Sequence, residues 1–308
     1  MQYSVIVPLY NEELVILETY KRIKCVMDST KESYEIIFIN DGSRDKTALL
    51  AKKICSNDSN IKLLSFSRNF GHQVAITAGM DCAAGNAIIV IDADLQDPPE
   101  VMLEMFEKWK DGFEVVYGKR VKRKGDSLFK KITAKIFYRA LNTMTDVEIP
   151  VDVGDFRLID RKVCDALKSM PERNRYVRGL IGWLGFRQIG VDFVREERFA
   201  GETKYPFKKM MKFAIDAITS FSYKPLRIAT IMGLFVSFLS FSYLIIVLYE
   251  AIFTSSTIVG WSSIIAVSLF LNGAILVILG IIGEYIGRIY DEAKGRPIYI
   301  ISDKEGFN

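Results

Sequence analysis

Asp92, Asp94 and Asp97 follow directly on the apolar run Ala87-Ile-Ile-Val-Ile91, with Gln96 among them. Carboxylates this close repel one another and are costly to bury unpaired. The stretch therefore needs a positive partner or an open edge in water. A hard divalent cation, Mg²⁺ or Mn²⁺, suits Asp92-x-Asp94, because it takes carboxylate oxygens and keeps coordination positions for phosphate oxygens. An Asp-x-Asp pair alone also occurs on solvated turns. Its place after a buried-type strand is what gives it weight. Asp97 stands just before Pro98-Pro99 and is expected to cap a helix that starts there.

The elements that must position these carboxylates are legible as an alternation. Apolar strands are expected at Ser4–Val7, Tyr34–Ile39, Ile61–Phe66, Ala87–Ile91 and Phe113–Tyr117, with helices after the first four. Asn11 is placed to cap the first helix, and Glu12 and Glu13 suit its first turn. Such alternation predicts an α/β domain with a mainly parallel sheet covered on both faces, whose ligands bind outside the carboxyl ends of the strands. Asp41, the Asp92–Asp97 cluster and Tyr10-Asn11-Glu12 all fall at such ends. Neither G-x-G-x-x-G nor G-x-x-x-x-G-K-[ST] is present, which disfavours a dinucleotide oxidoreductase and a P-loop NTPase.

Beyond residue 118 the pattern changes. Residues 119–139 hold nine basic side chains and one acid, Asp126. Residues 125–144 read as a basic amphipathic helix, with Leu128, Ile132 and Ile136 on one side and Lys135 and Arg139 around the others. A second amphipathic helix is expected over 206–223. Both are assigned to the membrane interface, where basic side chains could also draw in a phosphate head group. From Ile228 to Gly287 there is no Lys or Arg. Two apolar stretches of 22 residues, 228–249 and 262–283, predict a transmembrane hairpin. Lys224 and Arg227 before it and Arg288, Lys294 and Arg296 after it place both termini in the cytosol. The expected layout is a cytosolic domain over 1–225, the hairpin over 226–287 and a cytosolic tail over 288–308. No signal peptide is expected, since the first apolar run is broken by Pro8 and followed by Glu12 and Glu13. Gly280, Gly283 and Gly287 give the second span a small-residue side suited to close packing. The four cysteines share no C-x-x-C spacing and suit buried thiols in a reducing compartment. The single histidine, His72, is assigned a loop-fixing hydrogen bond.

Val5-Ile-Val-Pro-Leu-Tyr-Asn-Glu-Glu13, Asn40-Asp-Gly-Ser-Arg-Asp45 and Asp92-Ala-Asp-Leu-Gln-Asp-Pro-Pro-Glu100 resemble the successive signatures of family 2 glycosyltransferases with the GT-A fold. Arg68-Asn-Phe-Gly71, Gly154-Asp-Phe-Arg157, Gly201-Glu-Thr-Lys-Tyr205 and Gly283-Glu-Tyr-Ile-Gly-Arg288 are similar to motifs of the polyisoprenyl-phosphate subgroup, the bactoprenol glucosyltransferases and dolichol-phosphate mannose synthases. The resemblance spans nearly the whole chain. It implies that Pro8, Tyr10, Glu12 and Asp41 hold the nucleotide, that Asp92 and Asp94 bind the metal, and that Gln96 lies near the donor sugar. It implies Asp155 as base or acceptor-positioning group. Arg175, Arg198 and Lys204 resemble residues set around the donor or acceptor phosphates, and Arg68 is a further phosphate neighbour.

The implied reaction is inverting transfer of a hexose from a nucleotide diphosphate sugar to undecaprenyl phosphate, for cell-envelope glycosylation at the bacterial inner membrane. UDP-glucose is the favoured donor; UDP-N-acetylglucosamine, UDP-aminoarabinose derivatives and GDP-mannose are the alternatives. A tetramer-like homo-oligomer is the expected assembly, and no nucleic-acid partner is expected. A processive polysaccharide synthase would show Q-x-x-R-W and more spans, whereas the corresponding region here reads Glu172-Arg-Asn-Arg-Tyr176. A non-catalytic nucleotide-sugar-binding subunit is the rival from another class. Turnover by the purified chain separates it from an enzyme.

Overall fold

The computed structural model describes residues 1–122, 153–173, 175–196, 222, 224–253 and 260–307. The two expected amphipathic segments, Ser222 excepted, lie outside them. Strands β1 (Tyr3–Leu9), β2 (Tyr34–Asn40), β3 (Ile61–Phe66) and β4 (Ala87–Val90) pair in parallel in the order β3-β2-β1-β4. Every residue of β1 and β2 is buried. The reason is coverage on both faces. Val5, Val7, Ile36 and Phe38 pack toward α1 (Ile16–Ser29), α2 (Thr47–Asn57) and α4 (Val101–Lys110). The alternate residues Ile6, Ile37 and Ile39 pack toward α3 (His72–Cys82), α5 (Arg161–Ser169) and α6 (Val177–Trp183).

Past β4 antiparallel pairings enter a sheet that remains mainly parallel, as expected. β6 (Val153–Asp160) inserts antiparallel between β4 and β5 (Val115–Lys122), and β7 (Gln188–Val194) lies parallel to β5 at the edge. Periodicity marks β5 as a strand but carries no trace of a partner that arrives later in the chain. The insertion has a consequence for the site: it brings the early residues of β6 beside the carboxyl end of β4.

Two long helices follow, α7 (Lys224–Phe253) and α8 (Trp261–Ala293). Both are long and apolar enough to cross a bilayer, and their apolar windows are 6% and 0% buried. Leu234, Phe235, Phe238 and Leu276 are each more than 60% exposed. Neither apolar stretch is covered by the rest of the described chain. The helices touch one another, since a Cβ on Gly233 would lie 3.8 Å from Ile278 Cδ1.

The segment after α8, expected as a plain tail, carries an element of the domain. β8 (Ile301–Glu305) pairs antiparallel with β3 and closes the eight-stranded order β7-β5-β6-β4-β1-β2-β3-β8. Tyr299 stacks on Phe66 and its hydroxyl donates to Asp81 Oδ2 at 2.9 Å. Ser67 N donates to Ile300 O at 3.0 Å.

Candidate active site

The carboxyl ends of β1, β2 and β4 open into a cavity of about 520 Å³. Pro8, Tyr10 and Glu12 reach it from β1, Asp41 from β2, and Asp92 and Asp94 from β4. Gly154 and Asp155 reach it from β6, Asn69, Gly71 and His72 from the turn into α3, and Arg120, Arg178 and Arg195 close it. The switch point between β1 and β4 is where a ligand is expected in such a sheet.

Asp41 is buried, and its carboxylate is committed to the neighbouring turn. Oδ1 accepts from Phe70 N at 2.6 Å, and Oδ2 accepts from Asn69 Nδ2 at 2.9 Å and Gly71 N at 3.0 Å. Burial pushes its pKa up, against those bonds. Gly42 makes the approach possible: its φ is +65°, and a Cβ there would stand 2.5 Å from Arg68 C. Asn11 does not cap α1. It adopts φ +55°, α1 begins only at Ile16, and Asn11 Oδ1 accepts from Arg44 N at 2.9 Å. The side chain thus joins the β1 and β2 loops instead.

Asp92 Oδ1 is buried without a hydrogen-bond partner among the described residues. Burial raises the Asp92 pKa to about 6, against the nearby His72. Among the described residues no group of three His, Cys, Asp or Glu side chains is arranged to hold a metal ion by itself. A cation here would be held by Asp92 and Asp94, with ligand oxygens completing its shell. That donor set suits Mg²⁺ or Mn²⁺ with a diphosphate, and Asp92 Oδ1, which makes no hydrogen bond among the described residues and stands 3.4 Å from His72 Nε2, fits it.

Asp97 is not a helix cap. α4 starts at Val101, its N-cap is Glu100, and no side chain caps it. Asp97 is instead 1% exposed and holds two arginines, with Arg120 Nη2 3.3 Å from each of its oxygens and Arg195 Nε 3.8 Å away. The Nε atoms of Arg120 and Arg195 are buried without a hydrogen-bond partner among the described residues. Two guanidiniums sharing one carboxylate leave this wall with an excess of positive charge, which can accept an anion.

Asp155 is the hub of the opposite wall. Its Oδ1 accepts from Arg178 Nε at 2.8 Å; its Oδ2 accepts from Gln73 Nε2 at 3.0 Å and Arg178 Nη2 at 3.2 Å, with His72 Nε2 3.2 Å away. Burial alone would raise its pKa, yet Arg178 and His72 hold it well below the usual carboxylate range. For His72, burial lowers the pKa, but Asp92 and Asp155 outweigh it and carry the imidazole to about 9. His72 is thus part of the charged site as well as of the turn.

Other expected residues fall elsewhere. Arg68 lies over the Phe70 ring, 4.3 Å from its centroid, and lines a neighbouring cavity with Gly42 and Ser43. Arg175 donates to Glu172 O at 3.1 Å and Met170 O at 2.5 Å and does not line the pocket; Arg178, three residues later on α6, does. Gln96 contributes backbone: its N donates to Asp94 Oδ1 at 3.1 Å and its carbonyl accepts from Glu196 N at 2.9 Å. Lys135, Arg139, Arg198 and Lys204 lie outside the described residues. Sequence reasoning missed Gln73, Arg120, Arg178 and Arg195. Arg120 sat in the basic run assigned to the membrane interface, and Arg178 lies on a short helix that the periodicity does not reveal.

A parallel β3-β2-β1-β4 half-sheet extended by antiparallel β6, with Asp-x-Asp at the switch point and arginines opposite, defines a GT-A-type transferase. The chain belongs to glycosyl transferase family 2, whose family model matches residues 4–168. It is 60% identical over 306 residues to the uncharacterized glycosyltransferase YkcC of Bacillus subtilis, covering 99% of this chain and 95% of that one. It is 41% identical over 305 residues to the bactoprenol glucosyl transferase of Shigella phage SfV, covering 99% of each. Among solved structures, glucosyl-3-phosphoglycerate synthase from Mycobacterium tuberculosis in complex with Mn²⁺, UDP-glucose and glycerol 3-phosphate superposes with a TM-score of 0.51. That match has 18% identity over 71% of this chain and 78% of the other, a likeness of fold.

Proposed function

We propose that this chain transfers glucose from UDP-glucose to a polyprenyl phosphate, undecaprenyl phosphate or a close analogue, at the cytosolic face of a bacterial inner membrane. The observation that carries the reading is the full-length similarity to a bactoprenol glucosyl transferase, 41% over 99% of both chains. The pocket supports it chemically and the exposed apolar hairpin supports it physically. Pairing of β8 with β3 brings the end of the chain back to the sheet, in keeping with an even number of crossings and both ends in the cytosol. A homo-oligomer packed on the Gly280, Gly283 and Gly287 side accompanies this reading.

The chain's own residues have distinct tasks in such a transfer. A divalent cation held by Asp92 and Asp94 would supply charge neutralisation at the diphosphate. Arg120 and Arg195, fixed by Asp97, receive the negative charge that grows on the leaving group. Pro8, Tyr10, Glu12 and Asp41 form the nucleotide end of the cavity. The acceptor is a phosphate monoester whose second pKa is about 6, so it is already ionised at neutral pH and needs little help from a base. Asp155 suits that need. Its two oxygens already face four donor groups, near the capacity of a carboxylate. It orients His72 and Arg178 rather than taking a proton. In-line attack inverts the anomeric centre, so an α-linked donor gives a β-linked product.

The test is UDP release by the detergent-purified chain with UDP-glucose, Mn²⁺ and undecaprenyl phosphate, beside a panel of other UDP- and GDP-sugars. Lipid-dependent release with UDP-glucose is the expected result. Nucleotide binding without release from any donor would refute the enzyme and favour a binding subunit.

A further inference from the structure

Gln73 stands behind the cavity wall and is not one of the residues that line it. Its side-chain amide nevertheless makes two bonds that meet the catalytic wall from both sides. Nε2 donates to Asp155 Oδ2 at 3.0 Å, and Oε1 accepts from Val177 N at 3.1 Å. Val177 is the first residue of α6, and Arg178, the second, returns to Asp155 through Nε and Nη2. The result is a closed ring: Gln73 to Asp155, Asp155 to Arg178, Arg178 through the backbone to Val177, and Val177 back to Gln73. The amide has only one workable orientation in it. A carboxylate must receive a donor and a backbone N–H must receive an acceptor, so a flipped amide would lose both bonds.

We propose that Gln73 is a positioning residue for the transfer reaction, holding the Asp155 carboxylate and the Arg178 guanidinium in one fixed relation through this ring. The assignment rests on the glucosyl-transfer reading above and extends it to a residue outside the pocket. Arg178 is also held at β6 through Nη1, which donates to Val153 O at 2.8 Å, so its guanidinium is fixed at the far end. Gln73 fixes the near end, through the backbone of Val177 at the start of α6. Its neighbour His72, also on the first turn of α3, reaches the same Asp155 oxygen, so the turn delivers two adjacent side chains to one carboxylate.

Gln73→Glu divides the two bonds. The new carboxylate still accepts from Val177 N, so a residue that merely held the start of α6 would tolerate it. The same carboxylate turns an oxygen toward Asp155 Oδ2 and repels it. The experiment is steady-state release of UDP by the full-length chain in detergent, varying UDP-glucose and undecaprenyl phosphate in turn, with thermal unfolding recorded for each variant. For Gln73→Glu we expect kcat to fall about 10- to 100-fold, the size of effect that a misplaced catalytic group produces, with KM for UDP-glucose within about threefold. Gln73→Met, which loses both bonds and adds no charge, keeps the comparison open if the glutamate variant does not fold. It should show the same split, with a smaller fall in kcat. An active wild type matched in kcat by either folded variant would overturn the assignment of Gln73 alone. A wild type that transfers nothing would overturn the transfer reading and this assignment together, and that control is seen before any variant is compared.

Discussion

Asp97→Asn separates two roles that sequence and structure give to the same residue. Aspartate and asparagine cap helices about equally well, so a capping residue would tolerate the change. The structure instead puts one carboxylate between two guanidiniums, with Asp97 1% exposed, Arg120 13% and Arg195 32%. Neutralising it leaves two like charges close together in the cavity wall. Removing one partner of a buried ion pair costs about 3–5 kcal/mol. Asparagine keeps the shape and one acceptor oxygen, so the lower end, about 3 kcal/mol, applies. In a domain of roughly 150–250 residues each kcal/mol moves the Tm by about 2–4 °C, giving an expected fall of about 6–12 °C. The assay is tryptophan-fluorescence unfolding of the full chain in detergent for Asp97→Asn, Arg120→Met and the double variant. The double variant should cost less than the sum of the singles by about 1 kcal/mol or more, because the second change relieves what the first left unpaired. A fall below about 2 °C with additive singles would refute the ion-pair role and return Asp97 to the helix start.

Chelation by EDTA should abolish UDP release and restored Mn²⁺ or Mg²⁺ should recover it; release that survives in EDTA would remove the cation from the reading. Asp94→Asn should lower kcat by about 100-fold or more, as loss of a preorganised charge-stabilising group does. Arg178→Ala should cost about 100-fold in kcat, while Arg175→Ala, three residues earlier, should leave kcat within about threefold; equal losses would mean that the two arginines share a role the geometry does not give them. Gly42→Ala should destabilise the domain by about 1–3 kcal/mol, read as a lower Tm, because its φ is +65° and a Cβ would meet the Arg68 backbone at 2.5 Å.

How much of this was legible depends on the range of the interactions. Val5–Val7, Ile36–Ile39 and Ile88–Ile91 are continuous apolar runs, which read as strands buried on both faces, and each is followed by polar residues that the sheet gathers at one end. Five of the expected pocket residues needed nothing more than that: Tyr10, Glu12, Asp41, Asp92 and Asp94 all line the cavity. Pro8 and Asp155, which the resemblance implied, join them there. The misses came from partners distant in sequence. Asp97 before two prolines has the local pattern of a cap, and only the arrival of Arg120 and Arg195 gives its charge another use. Asn11 has the same ambiguity, settled by a left-handed backbone and by Arg44 across the loop. Arg175 and Arg178 are alike in type and three residues apart, but the helix begins between them, at Val177, and only Arg178 is carried on it toward the pocket. β8 escaped because Ile301-Ser-Asp-Lys-Glu305 is a mostly exposed edge strand with too few apolar residues to set a period.

β8 also sets an order of events. It is made after both long helices, yet it completes a sheet whose other strands precede them. While the chain is being synthesised β3 is the last strand on that side, with its outer backbone groups unpaired until residues 301–305 emerge. A bare edge of that kind is where chains pair wrongly with one another. Final closure of the catalytic domain is therefore coupled to completion of the hairpin. A chain that stalls between α7 and α8 carries its own mark of incompleteness, an open β3 edge that chaperones and proteases can recognise. For the same reason, a fusion joined close behind β8 would burden the closing strand, whereas one joined ahead of β1 through a flexible linker would leave the closing edge alone.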